Sequence, residues 1–213
     1  MRTCMKTFMK GFMMNSVTNI SRRTLLLGAS AFAVMPASAF ALNEAQATRL
    51  INAAVADINR VISSGKSEGA MYKDFEKIFY KYADVPTIAR SALGPPARSA
   101  SKSELQSFTA AFTGYLSRKY GKRFREFIGG QIEVTAARSV KSFQEVKAVA
   151  VLRGQPPFDI SFMVSDRSGS DKFFDLLIEG ISLLKSEKAE IGAMLDKRRG
   201  DIGGLIQDLQ RAG

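Results

Sequence analysis

An α+β domain, with a curved antiparallel sheet of about four strands preceded and followed by helices, is the fold class that the 213-residue sequence predicts. Three observations carry it. Apolar residues recur at three- and four-residue intervals from Asn43 to about Ile128, the period of helices with one buried face. Four apolar stretches then follow between residues 131 and 180, separated by KSFQ, GQPP and DRSGSD, of which the last two are turn chemistry. Helical spacing returns after Leu183. Consecutive strands with short connections imply an antiparallel meander, and helices on either side of it in the chain can cover one face.

The first 41 residues stand apart. They contain no Asp or Glu, carry five cations including Arg22 and Arg23, and run through LLLGASAFAVMPASAFA into a small-residue end. That is the pattern of a signal peptide, with cleavage expected near Ala41 and Ala37-Ser38-Ala39 as the alternative site. SRRTLLL also resembles a twin-arginine signal, so the export route stays open between the two systems. Pro36 and a run of about 17 residues fall short of what a membrane span needs. The expected organisation is therefore an export segment over 1–41 and one mature domain over 42–213.

Within the mature domain, Ala47, Leu50, Ile51, Ala54, Val55, Ile58, Val61 and Ile62 mark the first helix. SSGKSEG interrupts it. A second helix is expected over 69–81, and a short third one after Asp84, with that residue as its cap and Pro86 in its first turn. Ser101 or Ser103 opens the longest, through Phe108, Phe112, Tyr115, Leu116, Tyr120, Phe124 and Phe127, to a stop at Gly129-Gly130. QIEVTAARSV, EVKAVAVLR, PFDISFMVS and KFFDLLIEG are the strands. In the third, Phe158, Ile160, Phe162 and Val164 share one face while Asp159, Ser161 and Met163 take the other, so the sheet has one strongly apolar side. Two closing helices are expected from Leu183 to about Arg198 and from Ile202 to Leu209.

Charge and residue types exclude much. The formal charge is +11, but five cations precede residue 42, leaving 26 Lys and Arg against 20 Asp and Glu and a net +6. In an exported protein, such a surface suits anionic lipid or an acidic partner better than nucleic acid. There is no histidine and no tryptophan, and the single cysteine, Cys4, lies in the export segment. Histidine-dependent triads, Cys-His pairs, disulfides and the usual zinc, copper and haem ligand sets are thereby removed, and no phosphate-binding glycine loop is present. No metal or cofactor is expected. Asp175 and Glu179 are the carboxylates a proton-transfer enzyme could use. Alternation along the strand turns both away from the face of Phe174, Leu176 and Ile178, which favours structural roles for them and a protein that is not an enzyme.

Several stretches together resemble a known family. Asp84-Val-Pro-Thr-Ile-Ala-Arg90, Gly94-Pro-Pro-Ala-Arg98, Phe108 with Phe112 and Tyr120, Ile132-Glu-Val134, KFFDLLIEGISLL and Gly200-Asp-Ile-Gly-Gly-Leu-Ile206 are similar, in order and spacing, to the MlaC family of periplasmic phospholipid-binding proteins, also called the toluene-tolerance family. Asp175, Glu179-Gly180 and Ser182-Leu183 form the most specific part. Where that family has Trp, this chain has Ala97 and Asp171, and a Tyr-Arg pair is replaced by Glu187-Lys188. The resemblance implies a soluble periplasmic carrier, in which the sheet and helices enclose an apolar pocket and lipid moves between an inner-membrane ABC transporter complex and an outer-membrane lipoprotein-porin complex. A hopanoid-transport accessory protein of the HpnM type is the alternative within the same superfamily.

Cargo chemistry agrees with such a pocket. Exposing two chains of roughly sixteen carbons to water costs on the order of 20 kcal/mol at ~0.8 kcal/mol per CH₂. Phe174, Leu176 and Ile178 would form one strip of the pocket, Phe162, Val164, Val149 and Val151 would extend it across neighbouring strands, and Phe108, Phe112, Tyr115 and Leu116 would roof it. Periodicity alone does not distinguish such a lining from a filled core. Arg90, Arg98, Lys119 and Arg123 are the candidate headgroup or partner contacts, with a solvated face as the competing role. Nothing in the sequence calls for an oligomer, and a monomer is expected.

Overall fold

The computed structural model describes residues 42–122, 130–152 and 154–213. Its first helix, α1 (Glu44–Ile62), begins at a capping box in which Asn43 and Gln46 each satisfy the other's backbone N–H. Ala47, Ile51, Ala54, Val55 and Ile62 form its buried stripe. Long-range hydrogen bonds tie the entry to α1 to the sheet and to the residue that follows its third strand. Leu42 N donates to Asp166 Oδ2 at 3.0 Å, Gln144 Nε2 donates to Leu42 O at 2.9 Å, and Ser139 N donates to Glu44 Oε1 at 2.9 Å.

Helix α2 (Glu68–Tyr82) turns back along α1. The Tyr82 hydroxyl and Lys81 ammonium both donate to Asp57 Oδ2, at 2.6 and 2.9 Å, and latch the pair together. Asp84 caps α3 (Val85–Leu93) by accepting from Thr87 N, while its own N–H donates to Phe173 O in the sheet. A 3₁₀ turn over Pro95–Arg98 leads to α4 (Lys102–Gly121), whose start is a capping box of Ser101 and Glu104. The expected continuation of α4 towards Ile128 lies outside the described residues. At its last residue the helix runs so close to α2 that a Cβ on Gly121 would collide with the Tyr72 ring.

The sheet is a meander in the order β1 (Gln131–Val140), β2 (Phe143–Val151), β3 (Phe158–Ser165), β4 (Lys172–Ile178) and β5 (Ile181–Ser182), antiparallel throughout, curved and unclosed. The fifth strand adds two residues to the four expected. Turn chemistry explains it. Glu179 and Gly180 both adopt positive φ, 49° and 77°, between the paired residues Ile178 and Ile181, which is a two-residue hairpin of the primed kind. Helices α5 (Leu183–Lys197) and α6 (Ile202–Arg211) complete the described chain, so the α+β class and its six helices agree with the sequence.

Two cores result. Helices α3 to α6 bury Phe108, Phe112, Tyr115, Ile191, Leu205 and Leu209 among themselves, with Phe108 stacked on Phe112 at 5.6 Å between centroids. Helix α1 covers the inner face of the sheet, where Val146, Ala148, Ala150, Ile160, Phe162 and Val164 meet Ile51 and Val55.

Candidate functional site

A cavity of about 800 Å³ opens between these two cores, bounded by the inner face of the sheet and by five helices. Its size falls in the range of small-molecule pockets. Helices α1 and α2 contribute Ile58, Phe75, Ile78 and Phe79, and α4 contributes Phe112, Leu116, Ser117, Lys119 and Tyr120. Strand β3 gives Phe158, Ile160 and Phe162; β4 gives Phe173, Phe174, Leu176 and Ile178; and α5 closes one side with Leu183, Leu184 and Glu187. The walls are overwhelmingly hydrocarbon and aromatic. Six side chains expected at such a wall are brought together here, namely Phe112, Leu116, Phe162, Phe174, Leu176 and Ile178.

Others go elsewhere, for identifiable reasons. Val149 and Val151 belong to the outer face of β2, and Val151 is 44% exposed. Cross-strand register decides this, because Phe162 pairs with Val146, Ile160 with Ala148 and Phe158 with Ala150, so the even-numbered residues of β2 must face inward. Val164 faces inward but is sealed beneath α1. Phe108 and Tyr115 point into the helical core rather than the cavity. Phe174 touches the cavity, yet its ring packs edge-on against Phe143 at 5.5 Å, because a bulge opposite Met163 and Val164 shifts the register and lets Phe173 take the inward place against Phe162 and Phe79. Arg90 and Arg98 are exposed and outside the wall, Lys119 is part of it, and Arg123 lies outside the described residues.

One end of the cavity is polar. Lys119 donates to Glu187 Oε1 at 2.8 Å and to Glu190 Oε2 at 2.5 Å, Tyr120 donates to Glu187 Oε1, and Tyr115 donates to Glu190 Oε1 at 2.6 Å. Burial works against the Lys119 charge, but hydrogen bonds to Glu187 and then Glu190 outweigh it and hold the ammonium pKa above that of a free lysine. Burial followed by the neighbouring Glu187 raises Tyr120, and burial followed by Glu190 raises Tyr115, so both phenols keep their protons. Glu190 is pulled below the usual carboxylate range by Lys119 and Tyr115. Glu187 was not among the residues singled out for this site from the sequence. Its partners on α4 are 67 and 68 residues away, and no local spacing announces the contact.

Asp175 borders the cavity, but its oxygens are engaged. Oδ1 accepts from Leu176 N at 2.8 Å and Leu184 N at 3.1 Å, and Oδ2 accepts from Ser182 Oγ at 2.6 Å. Ser182 in turn caps α5 by accepting from Lys185 N. The motif Asp175, Glu179-Gly180, Ser182-Leu183 is thus a structural unit: an acid at a helix N-terminus, a tight hairpin and a cap. Glu179 accepts from the backbone N–H of Asp159. Among the described residues, no group of three acids or other ligands could hold a metal ion.

The family model for the MlaC protein matches residues 49–211. The chain belongs to the MlaC family. Among solved structures, this MlaC chain superposes on a phospholipid-binding protein from Ralstonia solanacearum, determined in complex with a phospholipid, with a TM-score of 0.68. The match covers 78% of this chain and 95% of that one at 20% sequence identity, and at that distance it speaks to a shared fold. Among the described residues of this MlaC chain, no helix is long and apolar enough to cross a membrane.

Proposed function

We propose that this MlaC protein is a periplasmic lipid carrier that encloses the acyl chains of a phospholipid and moves lipid between outer- and inner-membrane complexes without catalysing a reaction. The observation that carries the reading is the cavity of about 800 Å³, walled by Phe75, Phe79, Leu116, Phe158, Leu176 and Ile178. A protein interior is otherwise packed to the density of an organic crystal, so an apolar hollow of this size is a site and not a packing fault. Family membership and the phospholipid-binding neighbour support the same cargo class. A slot of this kind lowers the on-the-order-of 20 kcal/mol barrier of carrying two acyl chains through water. The export pattern of residues 1–41 supports action outside the inner membrane, with residues 42–213 as the mature domain.

The test is to purify the protein without detergent, once from a host lacking hopanoids and once after incubation with membranes that contain them, and to extract and weigh bound lipid by mass spectrometry. About one diacyl phospholipid per protein is expected. A hopanoid taken in preference would replace the cargo assignment, and no lipid in either preparation would sink the carrier reading.

A further inference from the structure

The polar end of the cavity is unbalanced. Glu187 is 3% exposed, yet only one of its two oxygens is used. Oε1 receives both Lys119 and Tyr120, whereas Oε2 is buried and is the only such side-chain atom without a hydrogen-bond partner among the described residues. A buried carboxylate oxygen left unpaired is costly, and native proteins rarely leave one. Lys119, moreover, is shared between Glu187 and Glu190, so among the described residues this end of the cavity sets two acidic side chains against one amine. Lys119, Tyr120, Ser186 and Glu187 all border the cavity. A lone cation there would suit an anionic group; with two acidic side chains on that cation, the end of the cavity suits a hydrogen-bond donor.

Resting on the carrier reading above, we infer that the cavity selects a cargo whose polar end presents a hydrogen-bond donor, a hydroxyl or a primary ammonium, to the free oxygen of Glu187. A carboxylate accepts from such a group with a charge-assisted bond, and Glu187 borders the cavity while Lys119 and Tyr120 occupy only its Oε1. Acyl chains lie against Phe79, Leu116, Phe162 and Ile178, and the donor group is drawn to the α4–α5 end. Lipids that lack a donor, or that carry a net negative headgroup, fit the hydrocarbon wall but leave Glu187 unpaired or repelled.

Three diacyl lipids with the same chains separate the possibilities in a competition experiment on the full chain stripped of lipid: phosphatidylethanolamine, with a primary ammonium; phosphatidylcholine, its fully methylated counterpart; and phosphatidylglycerol, with hydroxyls but a net negative charge. Diacylglycerol, a hydroxyl without phosphate, is the fourth arm. Native mass spectrometry of the loaded protein is expected to show the ethanolamine lipid or diacylglycerol favoured about tenfold over the choline lipid. Which of the two leads identifies the donor. Glu187→Gln, which keeps the size and one acceptor but removes the charge, is expected to abolish the preference, read as the ratio of ethanolamine or hydroxyl lipid to choline lipid loaded by the same folded protein. Equal loading of the ethanolamine, choline and hydroxyl lipids by the wild-type protein, preference for the glycerol headgroup, or an undiminished preference in a folded Glu187→Gln protein each overturns the inference. Failure to load any lipid overturns instead the carrier reading on which it rests.

Discussion

Val146 and Val151 differ by five positions on one strand and by everything in environment, the first fully buried under α1 and the second on the outer face. Val146→Ala is expected to cost about 1–3 kcal/mol, and Val151→Ala no more than about 0.5 kcal/mol, by chemical denaturation. The reverse order, with the larger cost at Val151, would mean that the register of β2 is shifted by one. Asp175 makes an equally sharp residue-scale case. Its carboxylate joins β4 to the start of α5 through three hydrogen bonds, so Asp175→Ala should lose about 2 kcal/mol of stability while each folded molecule still binds its full complement of lipid. Lipid lost without any loss of stability would give this acid a role in the cavity instead. Gly121→Ala forces its new Cβ onto the Tyr72 ring and is expected to push α2 and α4 apart, read as a lowered Tm.

At the scale of elements, what the sequence made legible depended on how local the deciding interaction was. The alternation of Phe158, Ile160, Phe162 and Val164 sets the inner face of β3 by itself, and the caps at Asn43, Asp84 and Ser101 lie within a few residues of the groups they satisfy. Strand β2 carries valine on both faces, at 146, 149 and 151, so its orientation follows only from its pairing with β3. The bulge in β4 is likewise a two-strand property, and it exchanges Phe173 for Phe174 on the inner side. Periodicity marked α4 as apolar on one side but could not divide that side. Phe108 and Tyr115 enter the helical core, Leu116 meets the cavity, and Phe112 serves both. The division has a measurable consequence. Leu205→Ala, deep between α4 and α6, should cost about 2–5 kcal/mol and leave lipid per folded molecule unchanged. Leu116→Asp should lower bound lipid more than it lowers helix content, and parallel losses of both would make Leu116 ordinary core.

For the molecule as a whole, stability should depend on pH only at the extremes, since the chain has no histidine. Asp57, held down by Tyr82 and Lys81, and Glu190, held down by Lys119 and Tyr115, have folded pKa values below their unfolded ones. Such groups contribute stability that is present above the unfolded values of about 3.9 and 4.3 and is lost as pH falls through the folded ones, so the acid limb should lie below about pH 4. Lys119 is displaced upward, and its contribution is complete below about pH 10 and disappears only as pH rises through its higher folded value. A denaturation series from pH 2 to 11 checks both limbs; a step near pH 6 would contradict this account. Removing bound lipid should lower Tm by about 5–10 °C for a cargo held at a hundredfold excess over its Kd.

The sheet that walls the cavity does not close on itself, since β1 and β5 are its two edges. In a closed barrel the strand count and stagger fix the circumference, and the bore cannot widen without breaking backbone hydrogen bonds. Here the opposite wall is made of helices that meet the sheet mainly through side chains, with the backbone bond from Asp84 N–H to Phe173 O as an exception, so the gauge of the hollow can change by the sliding of methyl groups and rings while every ladder stays intact. On the carrier reading proposed above, one scaffold would then take cargoes of differing girth, and loading or discharge would call for a parting of layers with no unfolding of either.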